Sequence, residues 1–442
     1  MIIKIQKIKI FIFLFLTVCL SFPLKASVTC SNKNPKLEHL YKKPTLIEIK
    51  VKKTRKWNIR AIKILTSKNP RIENKYKKNF KAEIKVHYEN NICDYKAKLR
   101  ITGDFKDHIF KKNSTIMSSL KIKLLESNIN GVVSFKLFNP ISRHSENEVF
   151  FTSLLRASNY IAPKTVFVDV IFNGEKVRML FQEDIRKELL EGMGRIEGPM
   201  FEGDETLLKD IFDNGYKSKC EKLNCLSDLV LTKLKNKNFF LKNHISTSIS
   251  LHAHNKAQRL YRDLNAIGRN MFLNYDLLSE DQIIKRKWRI YDIILISAGA
   301  THSLLARENK TLYWDALNST FEPIYYDGNL QLDKKNNVYL DDPNGFKELL
   351  PVKPSSSFIE KALSLRSSSV LLDRFNDRTM PTPDNKTFFR HRVQQFSTNL
   401  ETLVRARESH PNSSGREKVN HESNTWYKEF QKQKNLDQSL RN

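Results

Sequence analysis

The chain has 442 residues, 40% of them hydrophobic and 28% charged, which is enough for one large or two ordinary cores and excludes a wholly disordered protein. Its formal net charge is +28, from 76 Lys and Arg against 48 Asp and Glu. The cations are mostly Lys scattered along every segment, without an arginine-rich tract or an aromatic ladder, so they favour a solvated surface over a polyanion site and argue against nucleic acid.

The first 26 residues have the pattern of a secretory signal. Three lysines precede an apolar run at 10–22, and Ala26 offers a small residue before a cleavage point. The run is short for a transmembrane helix, which needs about 20 residues, so we predict cleavage and no stable membrane span afterwards. This places the protein outside the cytoplasm, in the periplasm or envelope of a bacterial cell.

Four cysteines remain after cleavage, and an even number favours disulfides in an oxidising compartment. Cys220 and Cys225 would close a short loop, which leaves Cys30 to pair with Cys93. Buried free thiols are the alternative. A zinc site is disfavoured because no paired C-x-x-C spacing occurs.

Between residues 44 and 125 the apolar residues recur at every second position, which predicts an antiparallel β region. The predicted strands lie at 47–51, 82–88, 95–101 and 120–124, with a further one at 132–138. Residues 146–157 then carry apolar positions at helical spacing, which predicts a helix after this sheet.

The clearest local signal is the stretch TVFVDVIFNGEKVRMLFQE at 165–183. Two alternating apolar runs are joined by Asn173 and Gly174, the residue types that supply positive φ angles in a two-residue turn. The stretch therefore predicts a β-hairpin.

After Asp204 the spacing becomes mainly helical. The predicted helices lie at 226–241, 253–278, 283–306, 357–375 and 386–408. A short β segment at 311–313 and 321–326 interrupts them, and the polar end of the chain is expected to be disordered. We divide the chain into a signal at 1–26, a β-rich region at 27–115, a core with a helical second lobe at 116–405 and a tail at 406–442.

This order of elements predicts an α+β protein with the two-lobed layout of a protein kinase, a β-rich N-terminal lobe and a mainly helical C-terminal lobe. Phosphoryl transfer needs positive charge near the phosphates, a divalent metal held by oxygen ligands, and a group that orients the acceptor hydroxyl. The sequence offers candidates for each of these roles.

The candidate metal ligand is Asp327, at the end of the strand in FEPIYYDGN. Asn309 lies eighteen positions earlier, and a hairpin would fold its amide oxygen back beside Asp327 to complete a magnesium site. His302, seven positions before Asn309, is the candidate to orient or deprotonate an acceptor hydroxyl.

The candidate phosphate ligands are Lys121 and Lys123 in SLKIKLL, which share one face of a strand. One of them would pair with a carboxylate such as Glu148 on the following helix. Arg100 precedes the loop of LRITGD, and Glu183 lies where the chain would cross between lobes. Each residue also has a structural alternative, since strand lysines and single histidines are common on solvated surfaces and Asp-Gly-Asn is common in turns.

Taken together, the segments AKLRITGD, SLKIKL, FVDVIFNGEKVRMLFQEDI, RIEGPMFEGDE, ATHSLLARENKTLYWD and FEPIYYDGN, within residues 95–330, resemble the CotH-type kinases. That family is named from a bacterial spore coat protein and is distantly related to protein kinases. The resemblance implies an atypical kinase that binds ATP and Mg²⁺ and phosphorylates a protein substrate, with Asn309 and Asp327 in the metal positions. Two features depart from the family: the loop DFKDHIF is not serine-rich, and His302 stands where Asp is common.

Export creates a rival hypothesis, because ATP is scarce outside the cytoplasm. The rival is a catalytically inactive, kinase-shaped envelope protein that binds a glycan, such as a cell-envelope polysaccharide, or a protein partner through its basic surface.

Overall fold

The structure is a computed structural model that describes residues 29–30, 44–88, 92–113, 115–204, 232–266, 273–305, 309–333 and 385–408. Four predictions lie outside these residues: the signal segment, the Cys220–Cys225 pair, the helix at 357–375 and most of the polar tail.

The described residues form strands and helices in alternating groups. The strands are β1 (Thr29–Cys30), β2 (Leu46–Val51), β3 (Phe80–His87), β4 (Ile92–Ile101), β5 (Ile109–Lys112), β6 (Thr115–Ser118), β7 (Leu120–Leu124), β8 (Ser134–Phe138), β9 (Thr165–Phe172), β10 (Glu175–Glu183), β11 (Met200–Gly203), β12 (Thr232–Leu234), β13 (Thr311–Asp315) and β14 (Thr320–Ile324). The helices are α1 (Thr54–Thr66), α2 (Glu146–Ala157), α3 (Lys187–Glu191), α4 (Lys237–Phe240), α5 (His244–Ala266), α6 (Tyr275–Leu278), α7 (Gln282–Ser297), α8 (Thr301–Leu305) and α9 (Asn385–Glu408).

Seven of the described strands close into a barrel. They follow the order β4-β3-β2-β9-β10-β8-β7, and β7 pairs back onto β4. Neighbours are antiparallel except β2 and β9, which are parallel. The period-two pattern makes this possible, because it puts one apolar set inside the closed sheet and leaves the polar set on its outer wall. Trp57 of α1 packs on this core against Phe80 and Phe172, with ring centroids 5.2 and 5.4 Å away.

The predicted hairpin is confirmed. β9 and β10 pair over their full length, and the turn residues Asn173 and Gly174 have φ angles of 49° and 99°. The predicted helix at 146–157 is confirmed as α2.

The second region combines helices with a sheet of its own. In the described residues this sheet has four strands in the order β12-β11-β13-β14. Helices α2, α5, α7 and α9 share one buried core with it, in which Trp288 of α7 donates its indole N–H to the carbonyl of Phe321 on β14 at 2.9 Å.

The predicted two-lobed kinase-like fold with a mainly helical second lobe is wrong. The described residues form a closed seven-stranded barrel, and a further sheet occupies the second region. Period-two spacing reports strands but not how they pair, so closure of the barrel through β4 and β7 was not visible in the sequence. The helix predicted at 226–241 also fails in part, because Thr232–Leu234 is a strand.

Two further findings concern the N-terminal part and membranes. β1 pairs with β4 so that Cys30 lies opposite Cys93 in register, which fits the predicted Cys30–Cys93 disulfide; that bond stays a prediction. Among the residues that the structure describes, none of the helices has the length and apolar character needed to span a bilayer.

Candidate anion-binding site

Three cations form a row on the outer wall of the barrel. Arg100 on β4 is the register partner of Lys121 on β7, and Lys121 is the register partner of Lys136 on β8. Their strand neighbours point into the barrel core, so alternation turns these three side chains outward toward the second region. Directly opposed like charges repel, so anions that face the row stabilise it.

The first anion facing the row is Asp184, which follows β10. Its carboxylate lies 2.7 Å from Lys121 Nζ and 3.3 Å from Arg186 Nε, and it accepts a hydrogen bond from the hydroxyl of Ser134 at 3.2 Å. Burial alone would raise the pKa of this carboxyl. The charges of Lys121 and Lys136 outweigh that effect and hold the pKa of Asp184 well below its usual range.

A phenol is the second group facing the row. Lys136 Nζ donates to the Tyr326 hydroxyl oxygen at 2.5 Å, and Arg143 Nη2 donates to the same oxygen at 3.5 Å. Burial would raise the pKa of Tyr326, but the cations Lys136, Arg143 and Lys235 lower it to about 8. Together these cations stabilise negative charge on an oxygen atom.

Asp327 is the second carboxylate of the site. Its Oδ1 pairs with Arg143, which ends the 3₁₀ turn Pro140–Arg143, and lies 3.8 Å from Nδ1 of His302. Asp327 adopts a left-handed backbone conformation, with φ of 48°. His302 is 46% exposed, so its ring is reachable from solvent.

The loop that carries Asp327 is fixed by a buried hydrogen-bond chain. Gly328 N–H donates to the Tyr325 hydroxyl oxygen at 3.0 Å, and Tyr325 donates to Glu148 Oε2 at 2.8 Å. Gln182 donates to the other carboxylate oxygen of Glu148 at 2.9 Å. The chain ties α2 and β10 to the loop after β14, and a Cβ at position 328 would overlap the Tyr325 hydroxyl.

The predicted pairing of a strand lysine with Glu148 is not what the structure has. Glu148 is fully enclosed by Gln182 and Tyr325, and burial raises its pKa. Lys121 pairs with Asp184 instead, and Lys123 is exposed two positions further along β7. Spacing along the chain placed Lys121 and Lys123 on one face of the strand but could not choose between two nearby carboxylates.

Glu183 also has a different role from the predicted one. It is buried, burial raises its pKa, and it accepts a hydrogen bond from the Lys164 backbone N–H at 3.1 Å. The next residue, Asp184, is the one that meets Lys121.

Arg100 lies at the end of the row nearest the loop after β4. Its Nη1 donates to the carbonyl of Ile101 at 3.2 Å, and burial lowers its pKa although Asp184 and Asp104 act in the opposite direction. Arg100 therefore belongs to the same electrostatic cluster as Lys121.

Asn309 lies just before β13. The β13–β14 pairing sets Thr311 opposite Ile324, so the hairpin does return the chain toward position 327 as predicted. Asn309, however, lines a pocket whose walls include Asp292 and Lys310, and Asp327 is not among the described residues of that pocket.

Whether this site fits a magnesium ion depends on the oxygen and nitrogen ligands that its side chains offer. In the described part of the chain no group of three His, Cys, Asp or Glu side chains is arranged to hold a metal. Oδ1 of Asp327 pairs with Arg143 and lies near His302. Mg²⁺ is often bound by one or two carboxylates together with substrate phosphates. The site therefore fits a metal that arrives with phosphate oxygens, and does not fit a metal held by protein ligands alone.

Four residues of the site escaped the sequence analysis: Lys136, Arg143, Asp184 and Tyr326. Lys136 stands at an outward position of the strand at 132–138 and could have been found by the alternation that identified Lys121. Asp184 adjoins Glu183, but no local signal distinguishes the two. Arg143 and Tyr326 reach the site only through contacts spanning more than 180 positions.

No protein-family model matches the chain, and no curated protein matches it either. The likeness to the CotH-type kinases thus stays a prediction from short segments of sequence.

Proposed function

We propose that the protein binds a nucleoside triphosphate, ATP, together with Mg²⁺ at this site and transfers the terminal phosphoryl group to a hydroxyl of a protein substrate. The observation that carries the proposal is the row of Arg100, Lys121 and Lys136, which turns three register-locked cations toward one place. Phosphoryl transfer depends chiefly on such positioned positive charge.

The cations would act on the phosphate oxygens. Lys136 and Arg143 already hold the oxygen of Tyr326, so two donors converge where an anionic oxygen can lie. Arg143 offers a planar fork suited to bidentate contact with phosphate. The terminal phosphoryl group would be held here against the charge that develops on it.

Asp327 would hold the Mg²⁺ through the oxygen that Arg143 does not occupy. When bound, the ion supplies charge neutralisation between phosphate oxygens. His302 would accept the proton of the acceptor hydroxyl on the ring nitrogen that faces away from Asp327, and Asp327 would stabilise the resulting imidazolium.

Calorimetric titration of ATP with and without Mg²⁺ tests this function. We expect Asp327→Asn to lower the affinity for Mg²⁺-ATP about tenfold or more while ATP alone is affected less, because the variant removes a metal ligand but no phosphate ligand. Asp315→Asn, at the β13–β14 turn, is the matched control and should bind as the wild type does. Equal Mg²⁺-ATP affinity in wild type and Asp327→Asn would show that Asp327 is not a metal ligand.

A specific observation also favours a second function, binding of an acidic glycan or a protein partner without catalysis. Arg143 forms an ion pair with the Asp327 carboxylate, as expected if that carboxylate serves only to orient the arginine for an anionic ligand. Binding of an acidic polysaccharide that weakens steeply with salt, together with an absence of ATP binding, would support this alternative.

A further inference from the structure

Helix α1 exposes apolar side chains on the face that points away from the protein. Ile59, Ile62 and Leu65 are 44%, 47% and 40% exposed. Single exposed apolar residues are common on protein surfaces, but three on one 13-residue helix are not scattered.

The geometry of the helix places these side chains opposite its anchor. Trp57, Ala61 and Ile64 form the buried stripe of α1. At about 100° per residue, Ile59 and Ile62 lie on the far side of the helix from that stripe. The outward side is where a helix packed on a barrel normally carries polar residues.

Exposed cations lie beside this apolar crest: Lys56 and Lys63 flank it on one side, and Arg55 lies one turn before Ile59. Arg55, Lys56 and Lys63 are exposed, and no described residue pairs with them. The segment Thr54–Thr66 contains no acidic residue. Its fourth cation, Arg60, is turned inward, where its guanidinium lies 4.3 Å from the ring centroid of Phe80.

We propose that α1 binds the surface of an anionic lipid bilayer, with Ile59 and Ile62 at the boundary of the acyl chains and Arg55, Lys56 and Lys63 among the headgroup phosphates. An apolar crest accompanied by exposed cations is the pattern of a helix that lies in a membrane interface.

Other occupants fit this face less well. A second copy of the chain related by twofold symmetry would set these cations against one another. An acidic polysaccharide would satisfy the cations but offers no apolar phase for the isoleucines. A nucleic acid would call for stacking side chains, and the outward face of α1 has no aromatic residue.

Sedimentation of the full chain with lipid vesicles tests the proposal. The vesicles contain either phosphatidylcholine alone or phosphatidylcholine with phosphatidylglycerol, and the measured quantity is the partition coefficient. The apolar segment at 10–22 is common to all variants, so differences between variants isolate the part played by α1.

We expect Ile59→Ser/Ile62→Ser to lower partitioning onto the anionic vesicles about tenfold or more. Lys56→Gln/Lys63→Gln should lower it about fivefold for each charge removed, at low salt. Ile283→Ser/Leu317→Ser, at two apolar residues exposed elsewhere, and Lys96→Gln/Lys98→Gln on β4 are matched controls that should change partitioning less than about twofold.

Unchanged partitioning of the Ile59→Ser/Ile62→Ser variant onto the anionic vesicles, or an equal effect of Lys56→Gln/Lys63→Gln on both kinds of vesicle, would overturn the proposal. Thermal unfolding of each variant checks that the fold is kept, which these exposed positions allow. None of these residues belongs to the anion-binding site, so the outcome is independent of nucleotide binding.

Discussion

The barrel and the second region contribute opposite halves of the candidate anion-binding site. The barrel wall supplies Arg100, Lys121 and Lys136 from neighbouring strands, where backbone ladders fix their spacing. The second region supplies Tyr326 and Asp327 from a loop outside any strand ladder, which buried hydrogen bonds of the Tyr325 hydroxyl and a backbone bond from His302 N–H to the Gly328 carbonyl hold in place. The cationic half should therefore tolerate changes in its surroundings, whereas the acidic half should depend on a few buried contacts.

The two regions should respond to pH in opposite directions. In the barrel, burial lowers the pKa of His108 from 6.5 to about 4. Between these pH values His108 binds a proton in the unfolded chain but not in the folded protein. The free energy of unfolding should therefore fall by on the order of 3 kcal/mol as the pH drops from 6.5 to 4. Urea unfolding across this range measures the effect, and His108→Asn should remove it. A variant with the same pH slope as the wild type would exclude His108 as the cause.

The second region contains a buried acid with the reverse behaviour. Burial raises the pKa of Asp292 from 3.8 to about 6, although Lys310 and the hydrogen bond from Tyr275 act against it. The folded protein holds its proton more tightly here, so stability should be fully present below pH 3.8 and decline by on the order of 3 kcal/mol up to pH 6. Asp292→Asn should abolish this contribution in the same unfolding series. If the slope is unchanged in that variant, Asp292 ionises in the folded protein as it does in the unfolded chain.

A pair of glycine substitutions tests the dependence of the acidic half on buried contacts. A Cβ at Gly328 would overlap the hydroxyl of Tyr325, so Gly328→Ala should cost about 2–3 kcal/mol in stability. Gly174→Ala, in the β9–β10 turn, meets no atom within 4 Å and should cost about 1 kcal/mol through its φ of 99° alone. Chemical unfolding of both variants gives the comparison. Equal losses of stability at the two positions would contradict the view that strand pairing holds the cationic half while a few buried contacts hold the acidic half.

The smallest expected effect is a titration inside the site. Tyr326 should lose its proton with a pKa of about 8, because Lys136 and Arg143 stabilise the phenolate. The ultraviolet absorbance of phenolate should show this step well before that of buried tyrosines such as Tyr160, whose pKa burial raises. Tyr326→Phe should delete the step and Lys136→Met should move it to higher pH. A step that persists in Tyr326→Phe belongs to another tyrosine.

The sequence predicted the barrel strands better than the way they assemble. Alternation located β2, β3, β4 and β7 because each has one buried face, and Asn173-Gly174 fixed the hairpin. Helix α1 was missed although Trp57, Ala61 and Ile64 have helical spacing. Its exposed side mixes isoleucines with lysines, so the sequence shows no clear division into an apolar and a polar face. Closure of the barrel rests on pairing between strands, which periodicity does not encode.

The site was predicted only in part for the same reason. Arg100, Lys121 and Asp327 could be named from strand faces and strand ends, and His302 from its position before Asn309; all four belong to the cluster. Arg143 and Asp184 could not, because the chain brings them in from a 3₁₀ turn and a strand end whose positions depend on tertiary packing. Lys121 likewise pairs with Asp184 because Gln182 and Tyr325 enclose Glu148. That enclosure depends on tertiary packing.

The most direct test of the cation row compares two lysines on one strand face. Lys121 faces Asp184 within the row, whereas Lys123 lies two residues further along β7 and is exposed. Calorimetric titration with Mg²⁺-ATP should show an affinity loss of about tenfold or more for Lys121→Met and less than about twofold for Lys123→Met, with thermal unfolding as the check on folding. Equal affinities for the two folded variants would contradict the assignment of the row as the phosphate-binding surface.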